Sequence, residues 1–339
     1  MNTSTVSSLP AMPATAAAPI MVLPSPARWP WVLALVAPAT ALCFFIKGYQ
    51  LFQATMLLAY ATALLGLNIL TGYNGQISLG HGAFFAIGAY AAGMLMEHAG
   101  LAYWLAVPAA GIVCLASGYL FGRPALKLEG LYLALATFAL GVALPQLLKY
   151  KHLEAWTGGV GGTVLMKPEA PLGLPLSADQ WLYLFALAVT VAMFAIAHNL
   201  LQSGSGRALR AIRDHALAAQ AMGVDNAHYK SMAFGVSAAY TGVGGALSAI
   251  AVQFVSPDSF TLFLSISLLV GIVVGGVGTL WGAFFGAAFI LFVPNLAEQV
   301  SKAAPWALYG LVLIVFMFAM PGGVMGLLQR LRALLRRKG

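Results

Sequence analysis

Long apolar stretches separated by short polar or charged segments make up the chain from residue 29 onward. Each stretch holds about 16 to 23 residues, close to the roughly 20 that an α-helix needs to cross about 30 Å of hydrocarbon. The pattern predicts ten membrane-spanning helices, at about 29–46, 51–71, 79–96, 101–122, 130–148, 181–197, 232–254, 262–280, 282–297 and 306–325. The third and ninth are rich in glycine, so the sequence leaves open whether they span fully or are partial or re-entrant.

The composition supports an all-α, polytopic integral membrane protein. Only 8% of the 339 residues are charged, 61% are hydrophobic, and the mean hydropathy is +0.88. An ordinary soluble domain has about 25% charged residues, and a soluble fold of this size could not bury so much apolar surface. Cys43 and Cys114 fall inside apolar stretches, so the sequence predicts neither a disulfide nor a metal site.

Charged residues between the helices predict the orientation, because Lys and Arg in short loops favour the cytoplasmic side. The segment 198–231 and the C-terminal tail are both basic, and the four helices between them place both in the cytoplasm. Counting backward puts the N-terminus inside and the long 149–180 segment outside, where its lysines are balanced by acidic residues. The net charge of +8 therefore indicates orientation, since charges this sparse could not neutralise a run of nucleic-acid phosphates.

Two terminal segments flank the transmembrane domain, which is predicted over 29–325. Residues 1–28 are mostly Ala, Pro, Ser and Thr, with no charge before Arg28. They do not form a secretory signal, because such a signal begins with a basic region, so the sequence predicts a disordered cytoplasmic tail. Residues 326–339 place leucines and arginines at helical spacing. This spacing predicts a basic amphipathic cytoplasmic tail that lies on membrane lipid.

Ionisable residues are nearly absent from the predicted spans, where they usually mark proton relays or catalysis. No Asp or Glu lies well inside a span, and His81 is the one titratable candidate close to the core. A proton-coupled carrier is therefore disfavoured, while sodium coupling through backbone carbonyls stays open. The sequence contains no H-E-x-x-H motif, no paired carboxylates and no evident Ser/His dyad, so it does not predict an enzyme. It also lacks the ATP-binding motif G-x-x-x-x-G-K-[ST]. Any ATP that drives this protein must bind to another subunit.

The segment 202–230 predicts two short amphipathic helices. Ser203 or Ser205 can cap the first, in which three arginines share one face and Leu209, Ile212, Ala216 and Ala219 share another. Asp214 is predicted to cap the second, HALAAQAM, and Gly223 to end it. One interpretation is a surface helix on anionic headgroups. The other is a docking element that presents an apolar stripe to a groove in a partner, formed by Leu217, Ala218, Ala221 and Met222.

Four blocks of sequence carry a family resemblance. In chain order they are LNILTGYNGQISLGHGAFFAIGAYAAG at 67–93, GLYLALATFALG at 130–141, SGRALRAIRDHALAAQAMGVDNAHYKSMAFGVSAAYTGVGGALSA at 205–249 and SPDSFTLFLSISLLVGIVVGGVGTLWGAFFGAA at 256–288. With matching spacing they cover nearly everything from about 31 to 325. The chain resembles the inner-membrane permease subunits of branched-chain amino acid ABC transporters, and among them the LivM-type subunit.

The resemblance implies a multi-pass subunit of the bacterial inner (plasma) membrane that forms the path for branched-chain amino acids. It also implies a second homologous permease of the LivH type, two ATPase subunits that use ATP and Mg, and a periplasmic substrate-binding protein. The chain itself would hold no cofactor and no metal and would not be an enzyme. Many family members carry Glu after Gly141, whereas Val142 follows here. Because relatives of this architecture move urea, amides and small aromatic acids, those substrates remain alternatives.

The resemblance also identifies candidate coupling residues. The segment from Asp214 to Gly223 resembles the Ala-Ala-x-x-x-Gly core by which ABC permeases engage their ATPases, with Ala218, Ala219 and Gly223 in a steric role. Arg210 and Arg213 would pair with acidic residues of the ATPase. The full predicted coupling set is Arg207, Arg210, Arg213, Asp214, Leu217, Ala218, Ala219, Met222 and Gly223.

Glycines concentrated in the first and fourth blocks have two interpretations. They permit simple close packing of helices, or they mark a broken segment that lines the translocation path. The second interpretation predicts path residues that offer weak hydrogen bonds or free backbone groups: Asn68, Gln76, Ser78, His81, Thr137, Gly275 and Gly276. A lone His81 is more typical of an interhelical hydrogen bond, and Thr137 of a bond to its own helix. An ion-coupled secondary transporter that acts alone remains the alternative from another class.

Overall fold

The computed structural model describes residues 29–46, 48–125, 128, 130–171, 175–300 and 305–337. The predicted tail 1–28 and the last two residues lie outside this part of the chain. The helices are α1 Trp29–Phe45, α2 Tyr49–Asn68, α3 His81–Glu97, α4 Tyr103–Ala125, α5 Leu131–Leu148, α6 Glu154–Thr157, α7 Ala178–Gln202, α8 Gly204–Ala221, α9 Asn226–Val252, α10 Leu262–Gly275, α11 Gly282–Val300, α12 Pro305–Ala319 and α13 Gly323–Arg337. The chain divides after Ala41 into two units, and the helices from α2 to α13 all belong to the second.

Each of the ten predicted apolar segments contains one of these helices, which confirms the all-α polytopic class. Within the described residues, seven helical segments are long and apolar enough to cross a membrane: Tyr49–Tyr73, Tyr103–Pro124, Leu131–Leu148, Ala178–Gln202, Asn226–Val252, Pro257–Gly275 and Gly282–Gln299. The ninth predicted segment is therefore of spanning length. The third is α3, whose 17 residues extend about 25 Å and fall short of the hydrocarbon thickness.

Several helix ends differ from the sequence prediction for local reasons. α7 begins earlier, at Ala178, because Ser177 and Gln180 form a capping box in which each side chain accepts a hydrogen bond from the other's backbone N–H. α12 ends at Ala319 because the next residue precedes Pro321, and a residue before proline disfavours the helical conformation. α10 ends at Gly275 because Gly276 has a φ of 120°.

A central bundle is formed by α2, α3, α4 and α9, and α9 packs along the other three. α2 and α9 are mostly buried, whereas only about a third of α5 and of α7 is buried. Glycine permits a close crossing of α3 and α9, because a Cβ on Gly88 of α3 would lie 2.1 Å from the carbonyl oxygen of Gly242 on α9. The close-packing interpretation of the glycines is therefore confirmed at this crossing.

Helical structure is interrupted between α2 and α3. A π-helical turn, Ile69–Tyr73, follows α2, and residues 74–80 are almost entirely non-helical before α3 begins. A second interruption follows α10, where Gly276 and Gly278 both have positive φ before α11 begins at Gly282. Backbone of this kind is tolerated at membrane depth only where protein or water satisfies its polar groups. We call these two segments, 69–80 and 276–281, the first and second break.

Segments predicted to lie on the same side of the membrane lie at the same end of the bundle. At one end, the strands β1 Thr163–Val164 and β2 Phe254–Val255 pair antiparallel, and Lys149 contacts Asp258 at 2.5 Å. Apart from Phe254, which ends the predicted seventh span, these residues belong to segments predicted to be external. At the other end, α8 reaches the first break. We name the ends external and cytoplasmic in the sense of that predicted orientation.

Candidate coupling and translocation site

Asn68 joins the two breaks at the end of α2. Its Nδ2 donates to the carbonyl oxygen of Thr279 at 2.6 Å, and its Oδ1 accepts from the N–H of Gly278 at 2.8 Å. Asn68 is fully buried, so these bonds replace the water that the backbone of the second break would otherwise need. A Cβ on Gly72 would lie 2.2 Å from Asn68 Oδ1 and 2.5 Å from the nitrogen of Gly278, so this fit requires glycine.

His81 is a buried interhelical link at the first turn of α3. Its Nε2 lies 2.6 Å from Ser237 Oγ on α9, and its Nδ1 lies 2.9 Å from Ser78 Oγ. Ser237 donates its own hydroxyl proton to the carbonyl of Gly66, so Nε2 donates to Ser237 and Ser78 donates to Nδ1. One neutral tautomer satisfies every bond. The interhelical hydrogen-bonding interpretation of His81 is confirmed.

The non-helical part of the first break is held between α5 and α10. Thr137 Oγ1 donates to the carbonyl of Ala134 in its own helix at 2.9 Å, as predicted, and also accepts from the N–H of Leu79 at 2.9 Å. Ser265 Oγ accepts from the N–H of Gly82 at 2.9 Å. Each side chain satisfies a backbone donor that lacks a helical partner.

The remaining predicted path residues lie at the same two breaks. Gln76 is half-buried, and its backbone bonds to Leu70 and Thr71 across the first break. Gly275 and Gly276 are buried, and a Cβ on Gly275 would lie 1.9 Å from the carbonyl oxygen of Gly282. The structure thus brings the predicted path set together, packed within the chain. A role in substrate passage stays a prediction.

Two cavities lie toward the external end, and neither is lined by a predicted path residue. Their volumes are about 130 Å³ and about 240 Å³, and both are lined by Tyr60, Ser259 and Leu264. The smaller is also lined by Met56, Phe85, Ser248, Ala249, Val252, Phe254 and Phe260. Sequence reasoning missed these residues because an aromatic or aliphatic side chain in an apolar span has no pattern that distinguishes a cavity wall from a packed face.

Fully buried aliphatic side chains separate the cavities from the breaks. Along α2, Leu64 lies one helical turn beyond Tyr60 and one turn before Asn68. Along α10, Leu268 and Ile272 occupy the two turns between Leu264 and Gly276. In order from the external end lie the two small cavities, a buried layer of Leu64, Leu268 and Ile272, and the two hydrogen-bonded breaks. We call the buried layer the aliphatic plug and the two breaks together the cytoplasmic closure.

α8 is two helices that meet at His215, whose φ of −160° and ψ of 95° are not helical. His215 Nδ1 accepts from the N–H of Ala218 at 3.2 Å, so the prediction that Asp214 caps the second helix is wrong. An N-cap residue has extended backbone, which places its side chain beside the free N–H groups of the first helical turn, and here that residue is His215. Asp214 instead pairs with Arg213 at 2.9 Å. Ser203 is the residue that precedes the first helix.

Gly223 ends the second helix as predicted. Its φ is 86°, its N–H donates to Gln220, and the N–H of Val224 donates to the carbonyl of Ala219, both at 3.0 Å. This is a Schellman motif, in which a left-handed glycine satisfies the last carbonyls of a helix. No atom lies within 4 Å of the position that a Cβ on Gly223 would take.

The predicted apolar stripe of the second helix is uncovered by this chain. Leu217 is 74% exposed and Met222 is 85% exposed, and Ala218 and Ala221 are exposed beside them. Ala219 corrects the prediction, because it is 5% exposed and faces the interior of its own chain. It continues the buried face of Leu209 and Ile212, and therefore cannot contribute to an exposed docking surface.

The three predicted coupling arginines bond to carbonyl oxygens of this chain. Arg207 and Arg210 reach Gln202 and Leu201, both at the end of α7. Arg213 reaches further, and its Nη1 donates to the carbonyl of Gly72 in the π-helical turn at 2.9 Å. The segment predicted to meet an ATPase is thus in direct contact with the first break.

Comparison with known proteins decides the family. The family model described as "Branched-chain amino acid transport system / permease component" matches residues 50–320. The chain belongs to this family. The permease is 31% identical over 315 residues to the high-affinity branched-chain amino acid transport system permease protein LivM of Salmonella typhimurium, across 86% of this chain and 74% of the relative. LivM of Escherichia coli K12 matches to the same extent.

A second relative indicates a permease pair. The corresponding permease protein LivH of Salmonella typhimurium is 24% identical over 299 residues, across 79% of this chain and 91% of that protein. Similarity to both LivM and LivH indicates two related permeases within one transport system. No solved structure matches the chain significantly. The permease is a multi-pass inner-membrane transport subunit.

Proposed function

We propose that the permease lines the translocation path of an ATP-driven importer of branched-chain amino acids, together with a second related permease. Two partner ATPase subunits hydrolyse ATP with Mg, and a periplasmic binding protein delivers the substrate. The permease itself binds no cofactor. The names of the LivM and LivH relatives support the substrate class and the pairing. The path residues predicted from sequence lie in or beside the cytoplasmic closure. Substrate would reach them after it passes the aliphatic plug.

The exposed second helix of α8 carries this proposal. Leu217 and Met222 expose large apolar side chains, although α8 lies outside the apolar spans. Burying such a side chain stabilises a complex by about 1.5 to 3 kcal/mol, so the uncovered stripe suits a groove in a partner. A carrier that acts alone has no need of such a docking helix.

The same proposal extends to the domain arrangement. The transmembrane domain covers 29–325, with an external loop at 149–180 and a cytoplasmic coupling loop at 198–231. The basic tail 326–339 lies on membrane lipid through α13. Exposed leucines at helical spacing on α13 support this placement: Leu327, Leu331 and Leu334.

Uptake of radiolabelled leucine by membrane vesicles containing all neighbouring subunits tests the proposal. We expect uptake that requires ATP and survives collapse of the ion gradients, with little competition from unlabelled urea or benzoate. Competition by urea or benzoate would assign the alternative substrates to the same kind of importer. Uptake that ignores ATP and stops with the sodium gradient would refute the proposal and support a carrier that acts alone.

A further inference from the structure

Arg213 occupies the junction between the coupling segment and the first break. It is in the last turn of the first helix of α8, two residues before the bend at His215. Its guanidinium bonds in two directions, through Nη1 to the carbonyl of Gly72 and through Nε to Asp214 Oδ1, both at 2.9 Å. The side chain is 38% exposed, so its charge is partly shielded from water where it meets the break. A planar guanidinium with both bonds made has little freedom to swing.

The contact of Arg213 continues into the second break. Gly72 lies in the last turn of the π-helix, where carbonyl groups lack a helical partner, and Arg213 supplies the donor. Gly72 fits directly against Gly278, whose N–H is held by Asn68. A displacement of α8 that carries Arg213 with it must therefore move Gly72 or break this bond.

Asn74, in the first break, is a second observation at the same place. Its side chain is 3% exposed, and among the described residues neither Nδ2 nor Oδ1 has a hydrogen-bond partner. A buried amide without partners costs free energy that most native structures avoid. The residue follows the π-helical turn directly and precedes Gly75, where a Cβ would lie 3.0 Å from Arg213 Cγ. The unsatisfied group thus lies beside the same arginine.

We propose that Arg213 is the positioning residue through which the coupling segment moves the two breaks, and that the unpaired Asn74 amide favours their rearrangement. This inference rests on the proposed function, because it assumes that an ATPase moves α8. When α8 shifts, Arg213 withdraws from Gly72, the fit between Gly72 and Gly278 loosens, and Asn74 gains hydrogen-bond partners. The cytoplasmic closure then opens below the aliphatic plug.

The first test compares arginine variants in the complete complex, with radiolabelled leucine as the probe. We expect Arg213→Gln to keep normal membrane levels, while leucine taken up per ATP hydrolysed falls at least about tenfold, as suits the loss of a charge-assisted bond. Arg213→Lys should restore part of that ratio. Arg123→Gln is the control, because this arginine at the same end is exposed and stacks on Tyr119.

The second test follows the break itself by maleimide labelling of an Ile77→Cys variant, in a background without the native cysteines. Ile77 lies in the first break and is 49% exposed. We expect ATP to change its labelling rate in the complex, and Arg213→Gln to abolish that change. A Leu131→Cys variant, 73% exposed and away from the break, should label at one rate throughout.

The third test concerns Asn74→Leu, which replaces the amide by an apolar group of similar shape. We expect a higher unfolding temperature together with slower uptake, a combination that simple structural damage does not produce. An unfolding temperature below that of the wild type would overturn the argument from Asn74. Normal uptake per ATP in Arg213→Gln would overturn the role of Arg213. Absence of ATP-driven uptake in the wild type would refute the proposed function, and this inference with it.

Discussion

Replacing Gly223 by valine tests the docking helix without disturbing the membrane domain. The φ of 86° is left-handed, and an L-residue in that region costs about 1 to 2 kcal/mol. No atom within 4 Å would meet the new Cβ, so the cost comes from the backbone alone. A change of this size alters the population of the ordered helix end by a factor of about 5 to 30.

We therefore expect Gly223→Val to reach the membrane at normal levels and to lose most ATP-dependent uptake. Gly223→Asn should retain more uptake than Gly223→Val, because asparagine tolerates the left-handed conformation. Gly100→Val is the matched control, since Gly100 also has a positive φ and open space but lies at the external end. Leucine uptake in vesicles, normalised to permease level by immunoblot, is the assay. Wild-type uptake by Gly223→Val would refute the coupling assignment.

Three further predictions address the closure and the tail. Gly72→Ala should lower the unfolding temperature of the purified permease, because the new Cβ would lie 2.2 Å from Asn68 Oδ1. Gly326→Ala is the control and should not lower it, because no atom lies within 4 Å of the new Cβ. Equal unfolding temperatures of the two variants would contradict the fit described at the breaks. His81→Ala should reduce uptake only partly, since Ser237 keeps its bond to the Gly66 carbonyl, and complete loss of uptake with normal assembly would contradict this. Deletion of 327–339 should lower membrane level more than turnover, whereas normal levels with abolished ATP hydrolysis would assign the tail to the ATPase contact.

Local signals in the sequence predicted a large part of the fold. Apolar runs of spanning length correspond to helices because hydrocarbon thickness sets their length whatever they pack against. Gly223 was recognised as a helix end because its reason is local, a left-handed turn that glycine alone adopts freely. The sequence also predicts the bend in α8, but it places the capping residue at Asp214, one position before His215. Both residues are polar and can cap a helix, so the sequence alone does not distinguish them.

Other polar residues in the spans were missed although a signal existed. Ser237 and Ser265 are polar groups in apolar helices, and such groups typically bond across helices in a membrane. Asn74 was passed over because nothing in the sequence distinguishes it from Asn68, which has two hydrogen bonds. The external cavities carry no signal in the sequence, because aromatic and aliphatic residues such as Tyr60, Phe85 and Leu264 occur throughout the apolar spans.

The sequence by itself determined which segments are helical and which of them are apolar enough to enter a membrane, and it singled out the short segment that leaves Leu217 and Met222 exposed. Only the tertiary structure decided that Arg213 meets Gly72 and that Asn68 meets Gly278, across 141 and 210 residues of chain. The physical reason is that a spanning helix is apolar on every face, so its sequence does not mark the face that packs inward. Small residues permit close approach in several registers, and the folded bundle selects the one in which the polar groups at the breaks find their partners.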